Sequence, residues 1–183
     1  MILETPRLLL RPFRDGDAPD VYAYARDPRV GPIALWPSHA TVAESLAVIR
    51  TVFASPGVFA MVEKTTGRVV GSVGFVGNHP AGEYPDCPDD EIGYALSPAY
   101  WGRGLTGEAV SAVLRYGFTV LCLQRIWCGH YAGNWRFRRC MEKCGFRYQF
   151  ARTDWVATMG EYRQSYFYLL TKEAWREGVS GTL

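Results

Sequence analysis

The 183-residue sequence contains three lysines, three histidines, no CxxC pair and no long hydrophobic run. A transmembrane helix needs about 18 consecutive apolar residues, and no stretch approaches that length. Glu4, Arg7 and Arg11 interrupt the opening MILETPRLLLRPF, which is incompatible with the apolar segment of a secretory signal. The expectation is a cytoplasmic protein that does not engage a membrane. His39, His79 and His130 show no ligand spacing, so no metal site is expected. Cys87, Cys122, Cys128, Cys140 and Cys144 are odd in number and read as small buried hydrophobes in a reducing compartment. Because Lys64, Lys143 and Lys172 are the only lysines, 17 of the 20 basic residues are arginine, the better bidentate partner for phosphate or carboxylate. With 18 acidic residues opposing them, the net charge of +2 provides no basic excess for nucleic acid.

What the chain does have is apolar surface. At 48% hydrophobic and 14% aromatic it can bury a core, and its length suits one domain over residues 1–183. Alternation predicts a first strand over Arg7–Phe13, with Pro12 marking either a sheet edge or the strand's end. Asp15-Gly-Asp17 opens a helix with Pro19 in its first turn and Tyr22 and Ala25 facing the core. Thr41-Val-Ala-Glu44 reads as a capping box ahead of Leu46, Ile49, Val52 and Phe53. Val58–Val62 and Val69–Phe75 form a hairpin, and Gly77–Asp90 is an acidic, proline-containing loop. Glu91–Leu96 is a strand, Leu105–Val120 a long helix, and Arg125–Tyr131 a strand. A helix over Asn134–Cys144 is closed by Gly145, and two strands cover Phe146–Trp155 and Tyr162–Leu170. The order β-α-α-β-β-β-α-β-α-β-β gives an α/β (α+β) domain, mostly antiparallel, with one β-α-β crossover.

The segment Trp101-Gly-Arg-Gly-Leu-Thr-Gly-Glu108 satisfies G-x-G-x-x-G after a strand and before a helix. A dinucleotide fold also needs an acidic residue about twenty positions on, and Gln124–Cys128 contains none. A P-loop needs Lys and Ser/Thr where Glu108-Ala109 stands. Two readings remain: glycines at a tight strand–helix turn, or exposed backbone N–H groups and a helix N-terminus forming an anion site.

The run Glu91-Ile-Gly-Tyr-Ala-Leu-Ser-Pro-Ala-Tyr-Trp-Gly-Arg-Gly-Leu-Thr-Gly-Glu-Ala109 resembles the acetyl-CoA motif of the GNAT acetyltransferases. Thr5-Pro-Arg-Leu-Leu-Leu-Arg11, Asn134 and Glu142-Lys-Cys-Gly-Phe146 agree with it, and the set is similar to the ribosomal-protein alanine N-acetyltransferase (RimJ/RimL-like) branch. The resemblance implies a GNAT-like mixed sheet with helices on both faces, in which the Glu91–Leu96 strand splays from the strand after the central helix. Acetyl-CoA enters that V as co-substrate, its pantetheine pairing near Ala95 and Leu96. By the same resemblance the pyrophosphate lies on Trp101, Gly102, Arg103, Gly104, Leu105, Thr106 and Gly107. Trp101 and Thr106 depart from the family's Gln/Arg and Gly/Ala, without removing backbone donors. Arg103, Arg138, Arg139 or Lys143 meets the 3′-phosphate, and Asn134 approaches the pantetheine arm or simply caps its helix.

For the chemistry, the resemblance makes Glu91 the base, with a backbone N–H near Leu96 for the oxyanion. An acceptor α-amine, with pKa near ~7.7–8, needs only a weak base, whereas a lysine at ~10.4 needs more. The family's proton donors would fall on Phe137 and Met141, neither of which donates, leaving Cys140 or a tyrosine from elsewhere. Two functions fit: transfer of acetyl to a protein N-terminal α-amine or a small-molecule amine, and an acyl-CoA-binding module with little or no turnover. The acceptor would meet Ile33, Leu35, Trp36 and His39, together with the acidic loop (Glu83, Asp86, Asp89, Asp90), which is expected to attract a cation. Tyr162, Tyr166, Phe167 and Tyr168 supply either core or a homodimer surface.

Overall fold

The structure, a computed structural model, describes residues 1–34, 36–82, 87–157 and 159–180. Eight strands form a mixed sheet in the order β1 (Leu3–Glu4), β2 (Leu8–Arg11), β3 (Val58–Glu63), β4 (Val69–Phe75), β5 (Asp89–Leu96), β6 (Arg125–Tyr131), β8 (Glu161–Thr171) and β7 (Arg147–Val156). Every pairing is antiparallel except β5 with β6. The helices are α1 (Ala18–Ala25), α2 (Val42–Arg50), α3 (Leu105–Thr119), α4 (Trp135–Lys143) and α5 (Lys172–Ser180). No helix among the described residues is long and apolar enough to cross a membrane.

The sheet separates two apolar layers. On one face α3 and α4 pack over Leu8, Leu10, Met61, Val70, Ile126 and Leu170. On the other, α1 and α2 enclose Val21, Tyr24, Ala25, Val30 and Ile49. The α3 stripe differs from its sequence pattern at the C-terminal end, where Val120 and Leu121 are exposed and Gly117 and Phe118 are buried. Gly117 is needed for close approach, because a Cβ there would lie 2.6 Å from the Phe75 ring and 3.0 Å from Ile126 Cδ1.

Other expectations are corrected in detail. In α1, Val21 and Tyr24 face the core, while Tyr22 is only half-buried. Thr41 Oγ1 accepts from Glu44 N at 3.1 Å, but Glu44 Oε2 accepts from Ala40 N at 2.6 Å, one residue short of a closed capping box. Val52 is 61% exposed, because α2 ends at Arg50. On β8, Phe167 and Tyr168 are core and Tyr162 is exposed; the edges of the sheet are β1 and β7. Two elements, β1 and α5, had no counterpart in the sequence pattern.

Candidate active site

Strand β5 changes partner along its length. Asp89, Asp90 and Glu91 pair with Arg125, Ile126 and Trp127 of β6, whereas Ile92–Leu96 pair only with β4. On its other side β6 pairs with β8 along its whole length, from Arg125 to Tyr131. Beyond Glu91, β5 and β6 therefore diverge into a V. Within it the Tyr94 ring stacks on Phe137 of α4, with centroids 4.3 Å apart and planes 2° apart, and its hydroxyl donates to Phe137 O at 3.3 Å.

Glu91 sits at the point of divergence. Gly129, two residues beyond its pairing partner Trp127 on β6, leaves room for the carboxylate: a Cβ there would lie 2.8 Å from Glu91 Oε1. Burial pushes the Glu91 carboxyl above its ordinary range, the Asn78 amide that donates to it pulls it down, and the Asp90 charge pushes it up again. Glu91 lines a cleft of about 1020 Å³ that also meets Gly93, Ala95, Tyr131, Asn134 and Ser165. This size suits a small-molecule site.

At the far end of β5, Leu96 O accepts from the Trp101 indole N–H at 2.9 Å, tying the head of the glycine turn to the strand. Gly102 and Gly104 both have φ of 77°, a region that costs other residues strain. No acceptor among the described residues takes the N–H groups of Gly102, Arg103, Gly104, Leu105, Thr106 or Gly107, and nothing lies within 4 Å of a Cβ built on Gly102 or Gly107. These open donors lead into the N-terminus of the 15-residue α3, an arrangement that suits a phosphate.

The turn is anchored from the N-terminal strands. Glu108 Oε1 accepts from the Thr5 hydroxyl at 2.6 Å and Arg7 N at 2.8 Å; its Oε2 accepts from Arg7 Nε at 2.7 Å. Arg7 Nη1 also donates to Arg103 O at 2.8 Å. This clamp explains the Thr5-Pro-Arg7 segment physically, and residue-by-residue reading of the sequence missed the role of Glu108. Of the anticipated cations Arg103 is at the turn, and Arg136 and Arg29 join it there. Arg136 lies 4.3 Å and Arg29 5.7 Å from the Trp101 ring, and Arg103 lies over Tyr100 at 4.9 Å. Arg138 is paired with Glu142 at 2.8 Å. Lys143 is exposed at the other end of α4, about 10 Å along the axis from Arg136.

Residues 7–147 match the acetyltransferase (GNAT) domain. The chain belongs to the GNAT family of N-acetyltransferases. Among its GNAT relatives, the uncharacterized N-acetyltransferase YoaA of Bacillus subtilis is 29% identical over 151 residues, 80% of this chain and 82% of the relative. The [ribosomal protein uS5]-alanine N-acetyltransferase of Escherichia coli is 24% identical over 120 residues, 66% of this chain and 60% of that protein. The structure of a GNAT-family acetyltransferase from Bacillus anthracis superposes with a TM-score of 0.82 at 25% identity, covering 94% of this chain and 99% of that one.

The remaining positions fall as follows in this GNAT chain. Asn134 Oδ1 accepts from Phe137 N at 3.3 Å as the cap of α4, and Asn134 also lines the cleft. Trp36 and His39 line the cleft as well; their rings lie 5.3 Å apart, and His39 Nδ1 is 2.8 Å from Ser45 Oγ. Leu35, Glu83 and Asp86 lie outside the described residues. Asp89 is buried and takes contacts from Trp127 Nε1 at 2.8 Å, Arg125 at 3.2 Å and His79 at 2.7 Å, so it is part of the framework. Asp90 accepts from Gly77 N and Glu91 N, both on its own strand connection. Met141 is wholly buried. Cys140, half-buried beside Cys144 and Tyr94, is drawn down to about 7 by its hydrogen bond with Cys144, which the same bond pushes up.

Proposed function

We propose that this GNAT chain transfers an acetyl group from acetyl-CoA to a primary amine, with Glu91 as the base. The observation that carries this is the change of partner on β5, which leaves a half-buried carboxylate at the apex of a V beside an open cleft. Acetyl-CoA supplies the acetyl group as a thioester. The open N–H groups from Gly102 to Gly107 seat its pyrophosphate, with Trp101 fixing the turn and Arg103 and Arg136 supplying charge. The strand end at Ala95 and Leu96 and the side chain of Asn134 flank the arm that leads to Glu91. Lys143 is the cation for a phosphate further along α4.

Glu91 accepts a proton from the amine as the N–C bond forms and the C–S bond breaks. An N–H near Leu96 meets the negative charge on the acetyl oxygen. With Phe137 stacked on Tyr94 and Met141 in the core, neither gives a proton, so the sulfur leaves as thiolate. A thiol of pKa about 8.5 permits this. Trp36 and His39 border the acceptor. A protein N-terminal α-amine of the ribosomal-protein type is favoured over lysine, because its pKa near ~8 leaves a neutral fraction that a carboxylate of raised pKa can complete. The E. coli relative named for such an acceptor supports this choice.

Acetyl-CoA is expected to raise the melting temperature, and mass spectrometry of amine mixtures incubated with it is expected to show an added acetyl group. A melting shift without any acetylated product would replace transfer by acyl-CoA binding alone.

A further inference from the structure

The cleft has a second arm beyond Glu91. It runs between the α1–α2 segment and the β7–β8 hairpin, past the end of β4. Four large apolar side chains that remain open to solvent border it: Ile33 at 44%, Val52 at 61%, Val76 at 57% and Trp155 at 56% exposure. Singly exposed apolar residues are ordinary, but four converging on one concave surface beside a base mark a surface that a ligand covers.

Trp36, on the same arm, is held in place. Its N–H donates to Gly31 O at 3.1 Å, and a Cβ on Gly31 would lie 2.6 Å from its ring. Among the described residues, the charged groups that line this arm already hold hydrogen bonds. Glu44 accepts from Ala40 N, Asp90 takes two backbone N–H groups, and Arg152 pairs with Asp154 at 2.7 Å while stacking on Phe167. Burial keeps His39 below its ordinary pKa, hence neutral at pH 7. Glu91, at the apex of the V, meets the amine. Among the described residues of this arm, a carboxylate or phosphate on the acceptor would find no arginine or lysine without an acidic partner, and a second ammonium no further carboxylate without a hydrogen-bond donor.

Resting on the acetyl-transfer reading, we infer that the acceptor carries its amine on an uncharged, apolar body of aromatic size, seated on Ile33, Trp36, Val52 and Trp155. An arylalkylamine and a peptide whose leading side chains are apolar share this chemistry.

The test compares kcat/KM for 2-phenylethylamine against 1,4-diaminobutane. In parallel it compares C-terminally amidated peptides that differ only in apolar, aspartate or lysine leading residues. Apolar acceptors are expected to lead by about tenfold or more, and the arm of the panel that leads identifies the source. Val52→Asp and Trp155→Ser alter exposed side chains. Each is expected to raise the apolar acceptor's KM about tenfold while the KM for acetyl-CoA stays unchanged. Charged acceptors used equally well, or an unchanged KM in both variants, would overturn the inference.

The same ranking is read without turnover by calorimetry of 2-phenylethylamine and 1,4-diaminobutane binding to the CoA-loaded protein. Apolar binding with no transfer would defeat the transfer reading and leave the apolar seat standing. Transfer with charged amines preferred would do the reverse.

Discussion

Opposing influences act on the Glu91 carboxylate: burial and Asp90 favour its neutral form, while Asn78 and Arg152 favour the charged one. The balance lies on the neutral side, so the acidic limb of kcat/KM should fall above the ordinary glutamate range. Removing a group that favours the charge moves it further: Asn78→Ala should shift that limb to higher pH, read from a pH–rate profile. The stability consequence has a definite sign. A carboxyl with a raised folded-state pKa binds its proton more readily in the folded chain, so stability is gained as pH falls through that pKa, and ionised Glu91 costs stability at pH 7. Glu91→Gln should therefore lower turnover by about 10²-fold while leaving the melting temperature at pH 7 equal or higher. Elsewhere, Arg11 and Asp17 form a nearly buried bidentate pair at 2.7 and 2.8 Å, and Asp17 also accepts from Arg14 N. Asp17→Ala leaves a buried guanidinium without its partner and should cost about 3 kcal/mol in denaturant unfolding.

Between elements, Glu108 joins the N-terminal strands to α3. Burial pushes this carboxyl up, but the Thr5 hydroxyl and the Arg7 backbone and guanidinium outweigh it and hold the pKa below its ordinary value. The stability this supplies is present above the unfolded pKa and fades as pH falls through the folded one. Because Arg7 is half-exposed, Glu108→Ala should cost only about 1–2 kcal/mol. It should also raise the KM for acetyl-CoA, since the turn loses its anchor. This contact joins residues about a hundred positions apart, and nothing local in Glu108-Ala109 announces it. The hairpin, the long helix and the strand Arg125–Tyr131 were legible because turn residues and periodicity are local signals. Helix α5 escaped because, among its described side chains, Ala174 and Trp175 alone are apolar residues packed on the core, although Thr171 Oγ1, which accepts from Ala174 N at 3.2 Å, was a readable cap.

For the molecule as a whole, the sheet is two antiparallel sets of strands joined by the short parallel contact between β5 and β6. A ligand in the V bridges both sets, so acetyl-CoA at about a hundred times its Kd should stabilise the fold by about 2.7 kcal/mol, seen as a melting shift. The alternation of Glu91–Leu96 predicts a strand but carries no sign of its change of partner; the resemblance of the motif to the GNAT family supplied the V. Composition misled at the start of β5, where Asp89 and Asp90 read as part of an acidic loop but lie in the strand and hold Trp127, Arg125 and the backbone of β5. The sign of a charge is visible in a sequence; its commitment to a partner is settled only by the fold.

The most direct test is the rate of thiol release from acetyl-CoA in the presence of a neutral primary amine, measured for the wild-type chain and for Glu91→Gln. Amine-dependent release in the wild type that falls about 10²-fold in the variant, with the acetyl-CoA melting shift retained in both, is the expected result. Equal rates in the two proteins would contradict the assignment of Glu91 as the base.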